Sequence, residues 1–239
     1  MTPADATPPA PRWAESAEGE AVVLSLWVSA VGVLIALPFG LGFGWLLARR
    51  DFFGKALVEG ILTLPLVLPP VATGYLLLLL LGPGGWLGGW LDSLGLPIAF
   101  HWRGAAIAAA VMGFPLLLRA IRLGIEAVDP DLEDTARTLG ASRLDVFRTV
   151  TLPLAWPGLL AGMTLAFARA LGEFGATITL AGNIEGGTQT LPLALHTFTQ
   201  QPGGEPPAMR LLVISIVLAI AAIVVSEQLA RRHRRRLND

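Results

Sequence analysis

Arg169 and Glu173 are charged residues in an apolar run that extends from about Leu154 to Leu180, and they stand four residues apart. On a helix that spacing stacks them on one face. Ionisable groups at membrane depth are functional candidates by default. Two readings fit. In one, the pair neutralises itself against a helix bundle and holds its register. In the other, Arg169 guides an anion, although a lone deep cation could trap a dianion and Glu173 would repel it. Other chemistry is excluded. The chain has no cysteine, so it offers no thiol nucleophile and no thiolate metal site. His101, His196 and His233 lack ligand spacing, and no metal site is expected. Gly54-Lys55 lacks the earlier glycine of a phosphate-binding loop and precedes Ala56, so ATP hydrolysis is not expected.

A second cluster lies in residues 129–152, where Asp129, Asp131, Glu133, Asp134 and Asp145 alternate with Arg137, Arg143 and Arg148. Asp129-Pro130 reads as a helix start, because Asp caps an orphan N–H and Pro suits the first helical position. Asp131, Glu133 and Asp134 then place negative charge in the first turns, which the helix dipole favours. Gly140 ends or bends this helix. Ser142 and Asp145 restart one in a capping-box arrangement, and Leu152-Pro153 closes the segment. The prediction is a stiff helix–Gly–helix knob, with Gly140 permitting a close approach. Leu139, Val146 and Phe147 are its apolar residues, suited to docking a partner. Packing back onto membrane helices is the alternative.

The elements carrying these clusters follow from composition. The 239 residues are 54% hydrophobic and 15% charged, whereas a soluble domain carries about 25% charged residues. Soluble globular, disordered and fibrous classes are excluded together. A net charge of −1 argues against a polycation that binds nucleic acid. The prediction is an all-α polytopic membrane protein with five crossings, at about residues 21–48, 56–81, 105–127, 154–180 and 210–230. Residues 1–20 are expected to be a disordered extracytoplasmic tail, and 231–239 a basic cytoplasmic one. Of 17 Lys and Arg residues, 13 fall in the first connection, in the third with its approach at Arg119 and Arg122, and in the tail. The positive-inside rule makes those segments cytoplasmic and the N-terminus external.

Pro65, Pro69 and Pro70 remove backbone donors from the second span and kink or interrupt it. Carbonyls freed at membrane depth are tolerated only against protein or a wet cavity. This span is therefore predicted to line a pathway. Gly172 and Gly175 would let the fourth span approach a neighbour closely. Loop 82–103 carries Trp86, Trp90 and Trp102 and suits the headgroup zone, a substrate contact being the alternative.

The stretch D-T-A-R-T-L-G-A-S-R-L-D-V-F-R-T-V-T-L-P, Asp134 to Pro153, resembles the EAA loop of bacterial ABC importer permeases. Ala136, Gly140, Leu152 and Pro153 keep its register. Asp134, preceded by Glu133, stands where Glu is usual, while Thr135 replaces Ala and Val150 replaces Ile. L-P-L-V-L-P-P-V-A-T-G-Y-L-L-L (64–78), F-P-L-L-L-R-A-I-R-L (114–123) and F-A-R-A-L-G-E-F-G-A-T-I-T (167–179) are similar to molybdate permease subunits. Sulfate and thiosulfate permeases are the nearest competitors. The similarity runs from about Val22 to Ala230.

The resemblance implies a type I importer permease (MetI-like) fold in the cell inner membrane, with no catalysis and no cofactor of its own. It also implies partners: a second copy enclosing the pathway, two ATPase subunits holding ATP-Mg, and a periplasmic molybdate-binding protein. Glu133, Asp134, Ala136, Leu139, Gly140, Val146, Phe147, Leu152 and Pro153 would couple to the ATPases. Pro65, Pro69, Pro70, Arg169, Glu173 and Gly175 would be pathway candidates. Tungstate and sulfate are the alternative cargoes. A secondary transporter would show paired repeats with matching broken helices, and a membrane enzyme a convergent polar constellation. The sequence shows neither.

Overall fold

The computed structural model describes residues 12–238, with side chains from 17 to 225 and at Gln228. Every regular element among them is helical. Helix α1, Arg12–Arg49, starts well before the expected span. Residues 12–20, expected as a disordered tail, are therefore helical, while the rest of that tail lies outside the described residues. The cause is local: after Pro11 the chain reads RWAESAEGE, rich in Ala and Glu, which favour helix. Glu18 is also held by Arg210 at 2.7 Å.

Helix α2 (Lys55–Val67) and helix α3 (Pro70–Leu81) replace the expected second span, and their axes meet at 114°. Pro69 and Pro70 have no N–H to donate to the Pro65 and Leu66 carbonyls, so the helix stops there. Pro65 itself sits inside α2. The two ends of this bent pair lie at opposite ends of the bundle. Lys55 follows α1 after a tight turn, where it bonds Asp51 at 2.9 Å and holds that carboxyl below its usual range. Beyond α3, helix α4 (Trp86–Ser93) leads to helix α5 (Trp102–Glu126), whose Trp102 packs on Trp27 of α1 at 6.2 Å.

Helix α6 (Pro130–Thr138), helix α7 (Arg143–Val146) and a π-helical turn (Phe147–Thr151) form the knob and run into helix α8 (Leu152–Leu171). The loop does not close at Leu152-Pro153; the chain is helical from Arg143 to Leu171. An α-helical register would press the Pro153 ring onto the carbonyl of residue 149. The wider turn relieves it, with Leu152 N donating to Phe147 O.

The expected fourth span also ends early, at Gly172, and helix α9 (Gly175–Leu180) is separate. Helix α10 (Leu191–Thr199) packs on α1, where the Leu191 amide donates to Ser25 Oγ at 2.6 Å. Helix α11, Glu205–Asn238, carries the last span and continues through the expected basic tail.

By length and composition, Ala17–Arg49, Trp102–Glu126, Arg143–Leu171 and Glu205–Val225 are each long and apolar enough to cross a membrane, and the bent α2–α3 pair makes a fifth if it counts as one span. Helix α5 is central. It buries Ala105, Ala106, Ala108, Ala109 and Ala110 near one end and Leu117, Ile121 and Ile125 near the other. Small residues let α1 and α8 pack closely against it. Val33, Ala36, Leu159 and Ala166 complete that core.

Candidate functional site

At the end of the bundle where α1 stops, one carboxylate gathers three elements. Glu133 of α6 is 4% exposed at its side chain. Its oxygens accept from Arg49 Nη2 at 3.0 Å, Arg49 Nε at 3.2 Å, Arg137 Nη2 at 3.3 Å and Thr151 Oγ1 at 2.7 Å. Arg49 also donates to the Val128 carbonyl at 2.9 Å. The buried charge is thus matched by two guanidiniums and a hydroxyl, as burial requires. Glu133 is turned into the protein rather than toward a partner, and it ties the knob to α1 and to the root of α8.

The knob is stiff for identifiable reasons. Asp129 caps α6 by accepting the Asp131 amide at 3.0 Å. Ser142 and Asp145 form a complete capping box. Gly140 has φ +93°, with its amide bonded to Arg137 O and the Ala141 amide to Ala136 O, the paired bonds of a Schellman close. A Cβ at Gly140 would meet nothing within 4 Å. The glycine is required by its left-handed backbone, not by a close approach within this chain.

Leu139 is 84% exposed, and Asp134 is exposed beside Arg137. Ala136, Phe147 and Leu152 are partly buried, and Pro153 is exposed. Val146 is 2% exposed and packs back into the protein. Leu132 and Leu144 are exposed apolar residues on the same knob that the sequence reading did not single out.

Two of the pathway candidates, Pro70 and Gly175, meet at the helix break. Gly175 packs on Pro70, and Gly74 of α3 on the Ala176 backbone; a Cβ at either glycine would lie 2.7 Å from its neighbour. Glu173 is buried, accepts the Ala176 amide at 2.8 Å and pairs with Arg169 at 2.5 Å. It caps α9 while neutralising Arg169. Thr73 is buried there with no partner for its hydroxyl among the described residues. Pro69 and Pro70 face outward beside it.

Residues 40–237 match the family model of binding-protein-dependent transport system inner membrane components. The chain belongs to this family. The molybdenum transport system permease protein ModB of Escherichia coli (strain K12) is 58% identical over 220 residues, spanning 92% of this chain and 96% of that one. The Haemophilus influenzae ModB is 50% identical over 93% and 97%. The sulfate transport system permease protein CysW of Synechocystis is 38% identical over 87% and 76%. Among solved structures, the inward-facing MetNI methionine ABC transporter superposes with a TM-score of 0.72 at 17% identity, covering 94% of this chain and 99% of that one. That likeness shows the fold.

In this permease two functional features escaped the sequence reading. The Arg49–Glu133 contact joins residues 84 apart in the chain, which no local pattern reveals. Arg119 and Arg122, counted as topology signals although they fall inside the expected span 105–127, lie on α5, where Arg122 pairs with Glu59 of α2. Their three-residue spacing on a helix face was the available signal.

Proposed function

We propose that this permease carries molybdate across the inner membrane as one of two identical subunits enclosing the pathway. Two separate ATPase subunits would supply ATP-Mg chemistry, and a periplasmic molybdate-binding protein would deliver the anion. The observation that carries the cargo is 58% identity to a molybdenum permease over nearly the full length of both chains, against 38% to a sulfate permease. The geometry supports the division of labour. The knob offers a capped, rigid element with exposed Leu132, Leu139 and Leu144 for an ATPase to grip. Asp134, Ala136, Gly140 and Phe147 would shape that seat, while Glu133, Val146, Leu152 and Pro153 would anchor it to the membrane helices. At the other end, α4 and α10 would face the binding protein. The N-terminus would be periplasmic and the C-terminus cytoplasmic, as the placement of Arg49, Arg50, Arg137, Arg143 and Arg148 supports.

The test is uptake by vesicles containing the assembled complex with its cognate binding protein. Labelled molybdate should accumulate only with ATP inside, tungstate should compete, and excess sulfate should compete weakly. Sulfate uptake with molybdate excluded would replace this reading with the sulfate one.

A further inference from the structure

We propose that Arg119 forms an oxyanion-contact site inside the membrane, on the α2–α5 wall of the pathway, where it takes tetrahedral dianions in transit. This rests on the reading of the chain as an oxyanion permease. Arg119 lies seven residues before the cytoplasmic end of α5, about 10 Å into the helix at 1.5 Å per residue. It is exposed and has no ion pair or hydrogen bond among the described residues. Its neighbour Arg122 is fully engaged, donating to Glu59 at 2.6 Å and Glu126 at 2.7 Å. Arg169 on α8 is held by Glu173, and Arg210 on α11 by Glu18. Arg119 is therefore an intramembrane guanidinium left open to a mobile anion.

Its surroundings fit that use. Arg119, Arg122, Glu59, Thr63 and Val67 line a cavity of about 460 Å³ between α2 and α5, far above the roughly 10–15 Å³ that a single water requires. A charged side chain at that depth needs protein or water rather than lipid. The wall opposite is α2, which ends at the Pro69–Pro70 break, so a change in that bend would widen or close the cavity. Below Arg119, Glu59 and Glu126 surround Arg122 with one excess negative charge. That excess charge weakens the hold of Arg119 on an anion, so the anion is released rather than trapped, which answers the objection to a lone cation. The planar guanidinium also suits paired donation to two oxygens of one oxyanion.

The chain has no native cysteine, so Thr63→Cys gives a single reporter thiol. Thr63 Oγ1 bonds carbonyls of its own helix alone. In vesicles containing the whole complex, a water-soluble thiol reagent should label it. Saturating molybdate should slow that labelling about tenfold, the worth of one charge-assisted contact. Protection should vanish with Arg119→Gln and return with Arg119→Lys. Labelled-molybdate uptake should fall about tenfold with Arg119→Gln and recover in part with Arg119→Lys.

A thiol that never reacts means a dry cavity and overturns the site. So does labelling indifferent to molybdate, or protection that depends on added phosphatidylglycerol instead. Because the labelling assay uses unaltered Arg119, it decides even if Arg119→Gln fails to assemble. If the wild-type complex carries sulfate and not molybdate, the cargo reading fails and this site is judged by sulfate protection. If it carries neither, both fail.

Discussion

A carboxylate 4% exposed at its side chain must be met by polar partners held in place, and Glu133 has three of them. Glu133→Ala removes the negative charge and strands Arg49, whose side chain is only 14% exposed. Breaking a buried pair from one side costs about 3–5 kcal/mol. The detergent-solubilised protein should therefore unfold at a clearly lower temperature. Glu133→Gln keeps the shape and an acceptor, so it should fall in between. A melting temperature for Glu133→Ala equal to the wild type would show the cluster to be ornamental. At this scale the sequence was half legible. It marked Arg169 and Glu173 by type and spacing, because a charge in an apolar setting is visible in one dimension, and Glu133 as an acid in the first turns of a helix. It could not tell that Glu133 points inward, because its partner Arg49 comes from α1, beyond any helical period. Arg169 and Glu173 found each other because their spacing already placed them together.

Local chemistry specifies some elements fully and others only in part. The knob's caps were readable, since Asp129, Ser142 and Asp145 act within three residues. Gly140 was recognised as special, but its reason is the positive φ of the Schellman close rather than space. That difference is testable through graded substitution. Asn tolerates the left-handed region best after Gly, Ala less, and a β-branched residue least. Coupled ATP hydrolysis and uptake should fall in the order Gly140→Asn, Gly140→Ala, Gly140→Val, with the last costing about 1–2 kcal/mol of knob stability. All three proteins should insert at normal levels. Equal uptake in all of them would mean that knob stiffness does not matter. The break in the second span was likewise announced by Pro69-Pro70, but not its 114° angle. Proline says where donors stop; Gly74 against Ala176 and Gly175 against Pro70 set where α3 then goes. The π-helical turn was illegible for a similar reason, being a compromise between Pro153 and a helix that continues through it.

For the whole molecule, the single chain has more apolar surface than one environment can cover. Helix α11 exposes Val213, Ile216, Val217, Ile220 and Ile223, while α3 exposes Val71, Tyr75, Leu76, Leu79 and Leu80, and α2 buries no residue fully. Lipid can cover α11, whose backbone donors and acceptors pair internally. It cannot serve equally well at the junction of α2 and α3, because Pro69 and Pro70 leave the Pro65 and Leu66 carbonyls without helical donors. Irregular backbone at membrane depth must face protein or water. A second copy related by a two-fold axis would provide both, covering α3 and enclosing a wet path along α2. A single cysteine at Tyr75→Cys should therefore join two subunits when vesicles are treated with a short bis-maleimide, whereas Val217→Cys on α11 should not. Both proteins carry one thiol each, so random collision in the bilayer would link them equally and gives the baseline. Cross-linking at Val217→Cys in excess of Tyr75→Cys would place the subunit contact on α11. The broken helix would then face lipid, and the two-fold pathway along α2 and α3 would have to be abandoned.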